Sequence, residues 1–424
     1  MKAVIMAGGF GKRIAKFYTD RPKPMIEICG KPVLEHQIEN LKEFGITDII
    51  IVVHHMKDKI IGYFGDGSAF GVNISYYEEE TPLGTAGALI RIKDRLSDDF
   101  LLINGDLIFS IDFRKMIDFH QRNNSLATLF VHPNSHPYDS ELVVCDSNGT
   151  VTDWYKNDGT GNYRNCVNAG IHILSKEILN RSFEEEKLNL RTDLIGPFIC
   201  TGRIFAYRSA EYVKDMGTSD RLKHVTADLE KRIVSAKRAD KKQKAVFLDR
   251  DGTINKYKGY ITSPNQLELI SGAAEAVRKI NKSGYLAIVV TNQPSIAMGR
   301  MSYAVLDEIH SKLDTLLGEG GAYLDALYFC PHHPDKGFGG EIAELKKVCD
   351  CRKPSGGMLR KAAEEFNIDL GQSFMVGDSD RDILAGLDAG CTPIFLTNGD
   401  NTTEIENIRK YKKLSNFVKD EFDR

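Results

Sequence analysis

Short apolar runs alternate with amphipathic stretches along this chain in two separate series, the pattern of an α/β protein. In the first series "KAVIM", "DIIIVV", "FLLING", "LATLFV" and "GIHIL" are short and rich in β-branched residues, which predicts central parallel or mixed strands. The series runs to about residue 228. It is followed by "KRIVSAKRADKKQK", residues 231–244, with seven basic residues and one acidic. Such a run predicts a solvated linker, helical at its start, although its cations could also touch phosphates. A second series opens with "KAVFLDRDGTIN", residues 244–255, which reads as a buried strand running into a turn that carries two carboxylates. At 424 residues the chain is too long for one ordinary core. No internal repeat is visible, so the pattern predicts two different domains, 1–230 and 245–424, joined by the basic linker 231–244.

Composition narrows the function classes. Apolar residues make up 42% and charged residues 27%, with a net charge of -3, so there is no basic excess to track a nucleic-acid backbone. No apolar run approaches the roughly 18 residues of a membrane span, and Met1 leads within a few residues into a strand and its loop rather than a signal peptide. The expectation is a cytoplasmic enzyme with neither nucleic-acid nor membrane partners. A homo-oligomer is compatible with the sequence, which sets no oligomeric state. Of eight cysteines, Cys29, Cys145, Cys166, Cys200 and Cys391 are scattered, while Cys330, Cys349 and Cys351 gather beside histidines, as in a metal site.

The first series carries phosphate chemistry. In "MAGGFGKRI", Gly8, Gly9 and Gly11 follow a strand and let backbone amides approach a triphosphate, with Lys12 and Arg13 placed to neutralise it. A plain glycine turn would read the same way if nothing else followed. "RPKPM" then presents Lys23 in a stiff frame of two prolines, and "NGD" sets Asp106 at a strand end as a natural metal carboxylate. With "PLGTAG", "VNAGIHIL" and "VKDMGT" in the same order, residues 1 to about 228 resemble the sugar-phosphate nucleotidyltransferases, whose sheet is Rossmann-like. The resemblance implies that Gly8, Gly9, Gly11 and Arg13 grip a nucleoside triphosphate and that Lys23 holds the phosphates being joined. It also implies that Gly84 borders the base, that Asp106 and Asp215 hold Mg²⁺, and that Asn168 and Gly170 face the sugar. Lys12 departs from the family, which usually has threonine there.

The second series carries a different reaction. In "VFLDRDGT" a period of two puts Asp249 and Asp251 on one side at the strand's carboxyl end, although an acidic capping turn would also fit. Further on, "LAIVVTNQ" ends with Thr291, "CRKPSGGML" offers Lys353 before a helix, and "FMVGDSDRDILAG" supplies Asp378 and Asp382. These four blocks in order resemble the haloacid dehalogenase superfamily, a Rossmannoid fold. The resemblance implies that Asp249 attacks phosphorus and that Asp251 serves as acid and then base. Thr291 and Lys353 would hold the phosphoryl oxygens, and Asp378 would join Asp249 and the Asp251 carbonyl around Mg²⁺. Asp382 is expected to order the loop.

The spacing leaves no room for a large cap, so specificity must come from loops, one of which is "CPHHPDKGFGGEIAELKKVCDCRKP". Its CxH and CxC pairs, Cys330, His332, Cys349 and Cys351, make a closed tetrahedral Zn²⁺ set with a structural role, His333 being the alternative imidazole. Running straight into Arg352 and Lys353, this loop resembles those of the heptose bisphosphate phosphatases and of histidinol-phosphate phosphatase. Pro294 and Ser295 replace the serine and glycine usual there. Together the resemblances imply removal of the 7-phosphate from D-glycero-D-manno-heptose 1,7-bisphosphate, then transfer of GMP from GTP to the α-anomer of heptose 1-phosphate, yielding GDP-heptose for a surface glycan. The β-anomer goes to adenylyltransferases marked by HxGH, a motif absent from this chain. The alternative reading is a hexose 1-phosphate nucleotidyltransferase, for example for mannose 1-phosphate, joined to a phosphatase for another ester such as histidinol phosphate.

Overall fold

The computed structural model describes residues 1–9, 18–399 and 401–423. The chain divides into two compact units, the first comprising 1–132, 143–155 and 167–238 and the second 133–142, 156–166 and 239–424. Among the described residues no helix is long and apolar enough to cross a membrane.

In the first unit the strand Lys2–Met6 lies between Asp48–Val53 and Asp99–Asn104, parallel to both, and Asn73–Glu78 extends the parallel set. The sheet of nine strands continues through Val167–Ser175, which runs antiparallel to Asp99–Asn104. Every residue of Ile49–Val53 is fully buried, as expected of strands covered on both faces. The unit therefore presents Ala7, Glu79 and Gly105 at the carboxyl ends of parallel strands of one sheet, where α/β sheets hold their ligands.

The second unit is built on six parallel strands, in the order Ala326–Cys330, Leu286–Asn292, Ala245–Leu248, Phe374–Gly377, Thr392–Leu396 and Arg409–Tyr411. The central strand stops at Leu248, one residue short of Asp249, although the Asp249 amide still donates to the Val376 carbonyl at 2.9 Å. Asp251 thus lies past the strand end, and the chain turns at Gly252, with φ of +84°, where a Cβ would fall 1.9 Å from the Asp378 carboxylate.

The basic stretch is only partly solvated. Lys231, Arg232, Lys241, Lys242 and Lys244 are exposed, whereas Lys237 and Arg238 are buried and Arg238 donates to Glu43 at 2.6 Å. A short helix, Ile233–Ala236, turns these two inward, with Val234 buried beside Met216 and Val225.

Candidate functional site

Among the described residues each unit carries a candidate catalytic site, and the second also carries a cysteine–histidine set. In the first, a cleft of about 480 Å³ is lined by residues including Gly8, Gly9, Lys23, Gly84 and Asp106. Gly11, Lys12 and Arg13 lie outside the described residues. A Cβ at Gly8 would come within 2.8 Å of Glu79 Oε2, and no side chain fits at Gly84, where φ is +81° and a Cβ would sit 2.4 Å from the Leu188 carbonyl oxygen. Lys23 sits on the single turn Lys23–Met25, largely buried, and makes an ion pair with Asp106. Asp215 is next to them, since its strand Tyr212–Asp215 pairs it with Leu107. Burial would push the Asp215 carboxyl up, but Arg221 at 2.9 Å, the Gly217 amide and Lys23 outweigh it and hold the group below the ordinary range. Gly170 packs its backbone on Asn104, a wall of the cleft, and its amide donates to Asn168 Oδ1 at 3.2 Å.

Two cleft residues escaped the sequence reading, Glu79 and Lys187. Glu79 is buried, accepts the Leu83 amide at 3.3 Å, and has its carboxyl pushed up by that burial. A carboxylate five residues before Gly84 was visible in "EEETPLG", but three adjacent glutamates gave no means of choosing the inward one.

In the second unit Asp249, Asp378 and Asp382 bring carboxylate oxygens within 4.8 Å of one another, a group able to hold a metal ion. Lys353, buried, donates to Asp249 at 2.7 Å and to Asp382 at 2.6 Å. Three carboxylates around one ammonium leave an excess of negative charge. Burial, with Asp382 and Asp251 nearby and against the pull of Lys353, pushes Asp249 up to about 7, and burial with Asp382 pushes Asp378 up to about 6. Asp382 orders the loop through its capping bonds, since the Ser379 hydroxyl donates to Oδ2 at 2.6 Å, but its other oxygen is in the cluster. Thr291 is buried and accepts from Gln293 at 3.0 Å, and the same amide group donates to Asp251 at 3.0 Å. Asn292 and Lys353 exchange two hydrogen bonds, of 3.0 and 3.1 Å, that seat the Lys353 backbone. These amides stood beside Thr291 in "TNQ", yet side chains at a strand end show no partner until a distant loop is packed against them.

The cysteine set is closed. Five of the six pairings among Cys330, His332 Nδ1, Cys349 and Cys351 span 3.3–3.6 Å, against about 3.6–3.8 Å for the edges of a tetrahedral zinc site with bonds of about 2.0–2.3 Å. His333 is turned away, accepting the Asp335 amide at 3.1 Å and meeting the Phe338 ring edge-on. Cys351 leads directly through Arg352 to Lys353, and Arg352 donates to the His332 carbonyl at 3.2 Å.

The nucleotidyl transferase family matches residues 2–232, and the HAD-hydrolase-like family matches 350–421. The D-glycero-beta-D-manno-heptose-1,7-bisphosphate 7-phosphatase of Salmonella typhi is 41% identical over 165 residues, 38% of this chain and 86% of that protein. The protein of the same name from Pasteurella multocida is 41% identical over 178 residues, 42% of this chain and 91% of that one. Among solved structures, HddC from Yersinia pseudotuberculosis is 26% identical, covering 54% of this chain and 99% of its own, with a TM-score of 0.48. The chain therefore belongs to the nucleotidyl transferase family through residues 2–232 and to the family of those bisphosphate phosphatases through its C-terminal half, and so joins a transferase to a phosphomonoester hydrolase.

Proposed function

We propose that this chain makes GDP-heptose in two steps, the C-terminal unit acting first. The observation that carries the reading is the fusion itself. A phosphatase that strips the distal phosphate from a sugar 1,7-bisphosphate leaves a sugar 1-phosphate, the substrate class of a sugar-phosphate nucleotidyltransferase. In the first step Asp249 attacks phosphorus, the bond to the sugar oxygen breaks, and Asp251 protonates that oxygen. Asp251 then takes a proton from water, which attacks the aspartyl-phosphate and frees Asp249 and phosphate. Thr291 and Lys353 hold the phosphoryl oxygens. Mg²⁺, held by Asp249, Asp378 and the Asp251 carbonyl, would offset the excess carboxylate charge, and Asp382 is near enough to assist. In the second step a 1-phosphate oxygen attacks the α-phosphorus of GTP and pyrophosphate leaves, with Lys23, the Gly8 and Gly9 backbone and Arg13 positioning the charges. Asp106 and Asp215 would hold a second Mg²⁺. Zn²⁺ on the cysteine set is structural, and along the sequence the transferase region runs over 1–230, the basic stretch over 231–244 and the phosphatase region over 245–424, with 133–142 and 156–166 lent to the second unit.

Glu79 supports GTP. A buried carboxylate beside Gly84 can accept from the adjacent N1–H and N2–H₂ of guanine, whereas adenine turns an acceptor, N1, toward it. A paired contact of that kind discriminates by about 1–3 kcal/mol. Glu79→Gln is therefore expected to raise the KM for GTP about 10- to 100-fold and to narrow its advantage over ATP. A screen of triphosphates against heptose and hexose 1-phosphates of both anomers, read as pyrophosphate release, tests base and sugar together. Activity confined to mannose 1-phosphate, or a wild-type preference for ATP, overturns the assignment.

The carboxylate cluster also sets a pH dependence. Without metal, Asp249 and Asp378 hold protons up to about pH 7 and 6, while unfolded carboxylates lose theirs near pH 4. The native state then binds more protons than the unfolded state, so stability should fall as pH rises from about 4 to 7. With Mg²⁺ removed by dialysis and no chelator present, so that zinc stays on the cysteine set, the C-terminal unit is expected to melt lower at pH 7.5 than at pH 5.5, and added Mg²⁺ to raise melting more at the higher pH. A Mg²⁺-free melting temperature that rises across this window refutes the account.

A further inference from the structure

Asp251 is gripped from several sides. Arg250 forks onto both of its oxygens, at 2.8 and 3.1 Å, Asn255 donates to Oδ1 at 2.9 Å and Gln293 to Oδ2 at 3.0 Å. Arg250 has no solvent-exposed surface, and its remaining terminal nitrogen faces His310 Nε2 at 3.4 Å. A fully buried guanidinium with one carboxylate partner is fixed by its second contact, because any slack leaves donors unsatisfied where no water reaches them. His310 is itself buried, on the helix Tyr303–Glu319. Burial first, then the guanidinium groups of Arg250 and Arg164, push its pKa well below the ordinary value, so the ring is neutral and can accept from Arg250.

Arg164 comes from an unexpected place. Residues 156–166 stand in sequence between stretches of the first unit, 143–155 and 167–238, yet they belong to the second. Arg164 Nε donates to Asp314 at 2.9 Å and its NH1 to Asp307 at 2.8 Å, while the Asn165 amide reaches Asp314 at 3.2 Å and the Tyr163 amide reaches Thr315 Oγ1 at 3.0 Å. Asp307, His310 and Asp314 are spaced i, i+3 and i+7, so they share one face of the helix, and the Arg164 fork clamps that face on both sides of the histidine. The matched phosphatases of Salmonella typhi and Pasteurella multocida align with only 38% and 42% of this chain.

We propose that Arg250 is the positioning residue of Asp251, and that residues 163–165, contributed by sequence within the transferase half, act as a strap that sets Arg250 through His310. The strap holds the helix face and the ring, the ring holds the guanidinium, and the guanidinium holds the plane of the carboxylate that exchanges the proton. The inference rests on Asp251 being the acid–base.

The test uses the full chain with heptose 1,7-bisphosphate and, as a second probe, p-nitrophenyl phosphate. Arg164→Ala is expected to lower phosphatase kcat about five- to tenfold with KM within about twofold, since a displaced proton-transfer group slows chemistry without weakening phosphate binding. Arg250→Lys, which keeps the charge and loses the fork, should cost at least as much, and adding Arg164→Ala to it should cost no more. p-Nitrophenolate leaves without a proton, so both variants should show a burst of about one equivalent per chain before slow turnover limited by the base step. An unchanged kcat in Arg164→Ala, fully multiplying losses in the double variant, or no burst overturns the strap. If Arg164→Ala unfolds, Arg164→Lys carries the same expectations, retaining one ion pair of the two. Wild-type turnover by Asp251→Asn would instead sink the acid–base reading itself.

Discussion

Asp249→Asn should abolish phosphate release from heptose 1,7-bisphosphate, by at least about a thousandfold, and with it the formation of GDP-heptose from that substrate. The substitution removes the charge of the attacking oxygen but hardly its volume. In a site where three carboxylates crowd one lysine, losing a negative charge also relieves repulsion, so the fold should survive. The same variant should make GDP-heptose normally when given heptose 1-phosphate, because the cleft at Lys23 and Asp106 belongs to another core. Asp106→Ala should do the reverse, releasing phosphate and accumulating heptose 1-phosphate. Phosphate, pyrophosphate and sugar nucleotide measured in one reaction separate these outcomes. Wild-type formation of GDP-heptose from the bisphosphate by Asp249→Asn, or failure of the monophosphate to rescue it, would show that the sequential two-site reading is wrong.

The second large effect concerns the cysteine set. Purified protein is expected to carry close to one zinc per chain, and Cys349→Ala to lose it together with the cooperative melting of the C-terminal unit. In small zinc peptides such sites supply about 10–16 kcal/mol of apparent binding free energy, as much as the whole net stability of a domain, about 5–15 kcal/mol. The loop that would pay for the loss leads within two residues from Cys351 to Lys353, whose ammonium bonds Asp249 and Asp382. Phosphatase activity should therefore fall with the metal, while guanylyl transfer to heptose 1-phosphate persists. Metal analysis of the two proteins decides the matter: zinc retained by the variant, or none in the wild type, rules the assignment out.

Much of this protein is written locally. The two α/β series, the glycines after the first strand, the carboxylates near strand ends and the CxH and CxC pairs can be read from spacing alone, because each depends on residues a few positions apart whose backbone geometry is set by that spacing. The four candidate metal ligands fall in this class pair by pair, and the structure gathers the same four into a group that could hold an ion. What tertiary structure decided was which polar residues face one another across distance. Glu79 was one of three adjacent glutamates until the strand Asn73–Glu78 ended it in the cleft, and Asp382 joined the carboxylate cluster only once Lys353 packed beside it, 29 positions away. Arg250 stands between two aspartates with nothing in the sequence to single it out, yet it lies fully buried and forks onto Asp251. Arg164 gave no signal at all, because its meaning depends on carboxylates about 150 positions away. Apolar periodicity records which face of an element is covered, whereas the partner of a buried charge is a long-range fact that no local pattern carries.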